Sequence, residues 1–178
     1  MQPLWPLLVT LLLETAKCYP DQLGQQKSNC QRISLNLTTL PNGNKYFIPR
    51  TQAKYRMNWY QAKDFCANNS MHLASPKNQN ELSSLYRRIK EIHGSNTKWW
   101  LSASDVGRTT GDFRWHDGRA LPKDSSMWYA DDLEPDSFGK GFEACVNVAT
   151  YKRTKLTDDA CTANSENYYF VCEPPAGC

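Results

Sequence analysis

The stretch NWYQAKDFCANNSMHLASPKNQNE, residues 58–81, decides how the chain is read. Trp59, Ala62, Phe65 and Cys66 recur at helical spacing, which predicts a helix with one apolar stripe. Its end runs into NQNELSSLYRRIKEI, where Leu82, Leu85, Tyr86, Ile89 and Ile92 keep the same period. A second helix is expected there, stopped by Gly94. From Lys98 onward the pattern changes. KWWLSAS, FRWHDG, EACVNVAT and YYFVCE are short aromatic and β-branched runs bounded by Gly, Asp and Pro, and KYFI ahead of the first helix reads the same way. Helices followed by many short strands predict one α+β domain. The chain carries no internal repeat and no low-complexity tract.

Its 178 residues are enough for one domain with a substantial core. The opening MQPLWPLLVTLLLETAKC holds about a dozen apolar residues, fewer than the roughly 20 that span a bilayer. It reads as a signal peptide over residues 1–18, with cleavage near Ala16 or Cys18 left open. Residues 19–44, polar and rich in Gln, Asn and Gly, read as a lead-in that ends in the Asn-Gly turn of LPNGNKY, and residues 45–178 as the domain. A secreted, extracellular protein with no membrane partner is expected. Seven cysteines, at 18, 30, 66, 145, 161, 172 and 178, agree with an oxidising compartment, and none has zinc-site spacing. Asn36 and Asn68 stand in glycosylation acceptor motifs. The net charge of +3 is dispersed, which argues against a nucleic-acid surface. His72, His93 and His116 are scattered and read as ordinary surface or core residues.

Residues 117–140 show little regular pattern, and a long irregular loop inside a domain is usually functional. Within and just after it stands LEPDSFGKGFEAC, residues 133–145, with acids at Glu134, Asp136 and Glu143. These carboxylates suit a solvated loop, an enzyme's acid/base pair or a metal site. The enzymatic reading has little support. Two acids flanking a proline need not reach the carboxyl separations of glycoside hydrolysis, about 5–5.5 or 6.5–9.5 Å. No Ser/His arrangement and no phosphate-cradling loop accompanies them.

In order, these signals resemble a C-type lectin-like domain of the small secreted invertebrate type, over residues 45–173. The stretch at 58–81 resembles the family's first-helix pattern. WLSASDVGRTTGDFRWHDG resembles its core strands, EPD its sugar-specificity tripeptide, EAC and DDAC the segments before two cysteines, and YYFVCE its closing strand. The resemblance implies two helices packed on small antiparallel sheets, a long calcium- and sugar-binding loop, and disulfides Cys66–Cys172 and Cys145–Cys161. Cys18, Cys30 and Cys178 are left over, and a bridge from Cys30 or Cys178 within the chain or to a second chain stays open, as does a homo- or hetero-dimer.

The same resemblance implies a calcium ion and a glycan partner. Calcium takes six to eight oxygen ligands at about 2.3–2.6 Å. Glu134, Asp136, Glu143, Thr157 and Asp158 are the implied ligands, and Pro135 the implied cis residue; cis is inexpensive at an X–Pro bond. Glu134, Asp136, Glu143 and Asp158 would also bind the sugar's vicinal hydroxyls. The family's Trp-Asn-Asp is Leu-Thr-Asp here, so the hydroxyl of Thr157 replaces an amide oxygen. Asp159 is read as able to slip into register, on the expectation that its segment is a loop. The tripeptide mixes the mannose-type and galactose-type patterns and offers acceptors only, with Asp136 leaning to galactose. Trp128 and Phe138 flank the loop as stacking or packing residues. Asp105 matches one ligand of an auxiliary calcium site, but Thr110 and Ser137 stand where acids are expected, which implies that this site is lost and one ion is left. The expected function is calcium-dependent carbohydrate binding in innate immune recognition. The competing one is a calcium-independent protein-interaction module.

Overall fold

The computed structural model describes residues 33–94, 96–136, 144–163 and 168–178. Helix α1 (Trp59–Asn68) begins with a reciprocal cap. Asn58 Oδ1 accepts from the Gln61 amide at 2.9 Å, and the Gln61 side chain accepts from the Asn58 amide at 3.1 Å. That satisfies amides which the start of any helix leaves without an intrahelical partner. The expected stripe buries Trp59, Ala62 and Cys66, while half-buried Phe65 joins a ring cluster with Phe47 and Phe170. Helix α2 (Gln79–His93) is capped by Asn78, whose Oδ1 accepts from the amides of Asn80 and Glu81, each at 3.0 Å. Leu82, Leu85 and Ile89 are buried, but Ile92 is 40% exposed, so the stripe ends before the helix does. Gly94 follows with a φ of 71°, which costs a residue without a Cβ little.

Strands β1 (Thr38–Thr39) and β2 (Lys45–Tyr46) form a hairpin across the Asn-Gly turn, with Gly43 at a φ of 85°. The folded unit thus begins inside the expected lead-in, and Leu40 is part of the core. Strand β3 (His72–Leu73) follows α1, and β4 (Lys98–Ser104), β5 (Ala144–Ala149), β6 (Leu156–Ala160), β7 (Tyr168–Phe170) and β8 (Cys172–Glu173) complete the order. β3 pairs with β8, and four strands form a sheet in the order β6-β5-β4-β7.

The expected α+β, C-type lectin-like architecture is present, with three local differences. The pairing β4–β7 is parallel, where antiparallel sheets were expected. The chain leaves β6 at one edge and re-enters beside β4 at the other, a crossover rather than a hairpin. FRWHDG is a turn rather than a strand: Arg114 makes isolated bridges to Ser104 and Ala120, and Gly118 N–H donates to Trp115 O at 3.0 Å. LTDDA, expected as loop, is β6 itself.

The sheet is covered on both faces, which is why every residue of KWWLSAS after Lys98 is buried and its Trp-Trp-Leu centre is apolar without alternation. Trp99, Leu101, Val146, Val148 and Leu156 face α2 and its Leu82, Leu85 and Ile89. Trp100 and Phe170 face α1, where Trp59 donates to Leu101 O at 2.8 Å. Both expected disulfides are present. Cys66–Cys172 ties α1 to β8 across 106 residues, and Cys145–Cys161 ties β5 to the end of β6 across 16. In the loop-closure account, cross-links of these spans stabilise by about 4.7 and 3 kcal/mol. Cys178 is also disulfide-bonded. Cys18, Cys30 and the expected signal peptide lie outside the described residues. Among the described residues no helix is long and apolar enough to cross a membrane.

Candidate functional site

Strand β6 organises the acidic loop. Successive strand residues point to opposite faces, so Thr157 and Asp159 share one face of the sheet while Leu156 and Asp158 share the other. Pairing with β5 fixes this register through Val146–Asp158, Asn147–Thr157 and Cys145–Asp159.

On the first face the polar groups satisfy one another. Lys98 Nζ donates to Asp159 Oδ2 at 2.7 Å and to the Tyr168 hydroxyl at 3.1 Å. Asn147 Nδ2 donates to the same Asp159 oxygen at 2.7 Å, and Thr157 Oγ1 donates to Asn147 Oδ1 at 2.9 Å. Burial pulls the Lys98 ammonium down, but its hydrogen bonds and charge contact with Asp159 and Tyr168 more than offset that and hold it above its ordinary value. Burial pushes the Tyr168 phenol up to about 12. Thr157, an expected metal ligand, is therefore engaged inside the sheet and turned away from Asp158. Asp159 cannot slip into register, because a strand rather than a loop holds it.

The second face meets the long loop. Residues 127–129 run beside β6: Leu156 N–H donates to Met127 O at 2.8 Å, and Tyr129 N–H donates to Leu156 O at 3.0 Å. A short 3-10 turn, Ala130–Asp132, and the left-handed Leu133 then bring the tripeptide over Asp158. The Glu134–Pro135 bond is cis, as expected. Asp136 N–H donates to Asp158 Oδ1 at 3.1 Å, and Asp158 N–H lies 3.4 Å from Glu134 Oε2. Glu134, Asp136 and Asp158 each place a carboxylate oxygen within 4.8 Å of the others.

That spacing fits a single calcium ion. Two oxygens bound to one ion at about 2.3–2.6 Å are at most about 5 Å apart. The donor set suits it chemically, since hard cations take carboxylate oxygens. The set already attracts a cation: Lys152 Nζ stands 3.2 Å from Glu134 Oε1 and 5.0 Å from the centre of the Tyr129 ring. Both charged side chains are largely buried, at 19% and 8% exposure. The sequence does not single out Lys152, because a lysine in a loop carries no pattern that ties it to a distant carboxylate. Glu143, Ser137 and Phe138, also singled out there, lie outside the described residues.

Other sequence candidates resolve structurally. Asp105 is buried, and its two oxygens accept from the amides of Ala144 at 2.8 Å and Gly111 at 2.9 Å. It ties the start of β5 to the turn at Gly111. Trp128 packs on Phe113 at 5.1 Å and donates to Pro122 O at 2.9 Å, so it supports the loop from beneath. Asn36 and Asn68 are both exposed.

Comparison with known proteins gives a consistent picture. Residues 55–174 match the family model of the lectin C-type domain. C-type lectin domain family 4 member F of Mus musculus is 30% identical over 139 residues, covering 76% of this chain. The chain spans only 22% of that relative's length. The trimeric structure of the Kupffer cell C-type lectin receptor Clec4f is 28% identical, with a TM-score of 0.60, over 80% of this chain and 85% of the other. TC14, a C-type lectin from the tunicate Polyandrocarpa misakiensis, shares the fold at 24% identity and a TM-score of 0.57, over 72% and 96% of the two chains.

Proposed function

The chain belongs to the C-type lectin domain family, and from that premise we propose that it binds saccharides through one calcium ion held by Glu134, Asp136 and Asp158. The family is in general one of non-enzymatic carbohydrate-binding proteins. The observation that carries the calcium reading is the convergence of these three carboxylates within 4.8 Å. Asp158 comes from the sheet, which makes it the rigid member, while Glu134 and Asp136 come from the loop. Glu143 is the fourth ligand implied by the family pattern. Asp105, committed to two backbone amides, supports a single ion over two.

Calcium, when bound, supplies a fixed charge to which a sugar's vicinal hydroxyls attach. The chain's own part is orientation and hydrogen bonding. Glu134 and Asp136 are acceptors only, so the sugar hydroxyls must be the donors at both. With Asp136 in the third tripeptide position, galactose-type sugars are the first candidates and mannose-type sugars the second. The protein acts outside the cell, in innate immune recognition. Its two structural disulfides, Cys66–Cys172 and Cys145–Cys161, support the extracellular placement. Assembly of several sites in a homo- or hetero-oligomer would raise avidity over that of a single weak site. Retention on galactose or mannose resin, eluted by free sugar and reversed by a chelator, is the expected result. No retention on either resin, with or without calcium, defeats the proposal.

A second reading draws on Thr157. Its hydroxyl is used by Asn147, so the ligand set lacks a member the family pattern supplies. A lectin frame that binds a protein partner without calcium fits that shortage. Calorimetry separates the two readings, since heat on adding calcium supports the first and its absence the second.

A further inference from the structure

A second cleft shares no residue with the acidic cluster. It lies between α1, β3, the end of β4 and the turn that follows it, and encloses about 280 Å³. Trp59 and Trp115 are among its walls, and Lys63, Arg108 and Arg114 among its lining residues, with no Asp or Glu lining it among the described residues. His72 and His116 close one side, their rings stacked with centroids 4.4 Å apart. Two histidines from distant parts of the chain therefore meet beside three permanent cations.

Two carboxylates touch its lining residues from outside the cleft: Asp112 Oδ1 is 3.2 Å from Arg114 Nε, and Glu173 Oε1 is 3.5 Å from His72 Nδ1. Lys63 Nζ rests over the Trp59 ring, 5.5 Å from its centre, and the Trp59 indole is fixed by its bond to Leu101 O. The volume sits near the low end of ligand pockets, roughly 300–1,000 Å³, so it suits one sugar ring or one charged group and little more.

We propose that this cleft is a second ligand site, which takes the anionic group of an acidic saccharide, a sulfate ester or a carboxylate, without calcium. Lysine and arginine supply charge and donors to the anion, and arginine's planar fork matches its paired oxygens. The tryptophans give the sugar ring an apolar surface. The saccharide carrier rests on the lectin reading above; the recognition of an anion rests on the cleft alone.

His116 gives the site a pH dependence. Burial holds its imidazole below its ordinary value, with the charges of His72 and Lys63 adding to that and Asp117 opposing it. It is uncharged at neutral pH and gains a proton as pH falls, adding positive charge beside Arg108, Arg114 and Lys63. An anion in the cleft favours that protonated form, so its binding tightens on acidification.

The test uses the full chain in chelator, titrated with galactose 6-sulfate, galacturonate and plain galactose. Binding of either acidic sugar well above that of galactose is expected, and which one binds identifies the anion. Lys63→Gln with Arg108→Gln, both exposed positions, should weaken it about tenfold, the loss of one charge-assisted bond. Asp158→Asn should leave it unchanged. Galactose 6-sulfate should bind more tightly at pH 5.5 than at pH 7.5, and His116→Gln should reduce the difference; melting curves verify that each variant is folded. Acidic sugars binding no better than galactose, or unaltered binding in the Lys63/Arg108 variant, overturns the proposal. Failure of calcium-dependent galactose binding, with the chelator arm intact, overturns only the lectin reading.

Discussion

Asp158 and Asp159 are consecutive residues of one strand, and the two regions they belong to handle negative charge in opposite ways. Asp159 lies in a closed network where Lys98, Asn147, Tyr168 and Thr157 satisfy one another. Asp158 lies in an open one, where Glu134 and Asp136 add charge of the same sign and Lys152 pairs with Glu134. The closed network has little use for an ion, while the open one gains by taking one. The strand's period of two makes this division. It sends one carboxylate into the structure and offers its neighbour to a ligand.

The sharpest break of that comparison removes the lysine on the closed side. Lys98→Met leaves Asp159 at 11% side-chain exposure without its counter-charge. Breaking a buried pair in this way costs about 3 kcal/mol, or about 6–12 °C of melting temperature in a domain of this size. Adding Asp159→Asn should restore much of the loss, because the remaining group is then neutral. Thermal melting of the single and double variants checks both.

On the open side the same chemistry predicts a different outcome. Asp158→Asn keeps an oxygen to accept from Asp136 N–H, so calcium-free stability should change by less than about 1 kcal/mol. What should disappear is the response to calcium. An ion at about 100 times its dissociation constant stabilises the folded state by about 2.7 kcal/mol, visible as a rise in melting temperature. That rise should be lost in the variant, and its persistence would mean that calcium sits elsewhere.

The contrast also explains what the sequence disclosed. Both helices were legible because their apolar stripes are local. KWWLSAS was legible because its Trp-Trp-Leu centre is buried on both faces of the sheet. LTDDA was not, since aspartates are poor strand formers, and the Lys98 that makes the strand tolerable is 61 residues from Asp159. Glu134 and Asp136 could be marked from EPD by resemblance, as could Asp158. Their convergence is a property of the pairing between residues 127–129 and β6, 22 residues apart in the Asp136–Asp158 contact. Thr157 was misplaced for the same reason, because only a strand register tells which neighbour faces the loop. His72 and His116 looked scattered, and only the fold stacks them.

Lys152 sharpens the comparison from within the open site. Its ammonium stands 3.2 Å from a carboxylate that the ion would share, so it opposes calcium both by charge and by occupying the oxygen. Lys152→Met should tighten calcium binding by about 1 kcal/mol or more, at least roughly fivefold, because the ion no longer competes with an ammonium for a largely buried carboxylate. Calorimetric titration measures this directly. Weaker binding in the variant would mean that Lys152 holds Glu134 in place for the ion.

The smallest effect concerns His93, a polar group in neither network. Its ring packs on Trp99 at 4.9 Å, and its Nε2 is buried without a hydrogen-bond partner. Burial holds its imidazole below the ordinary value of 6.5. The unfolded chain therefore takes up a proton first as pH falls, and the folded state must follow at a cost. The stability His93 contributes is present above about pH 6.5 and declines below it, as the unfolded form becomes the better proton acceptor. His116 acts in the same direction, so calcium-free melting temperature should fall between pH 7 and pH 5. His93→Phe keeps the contact with Trp99 and cannot titrate, so its melting temperature should fall less over that interval than that of the unsubstituted chain. Equal slopes in the two proteins would show that folding leaves the proton affinity of His93 unchanged, and would leave His116 to carry the acid sensitivity.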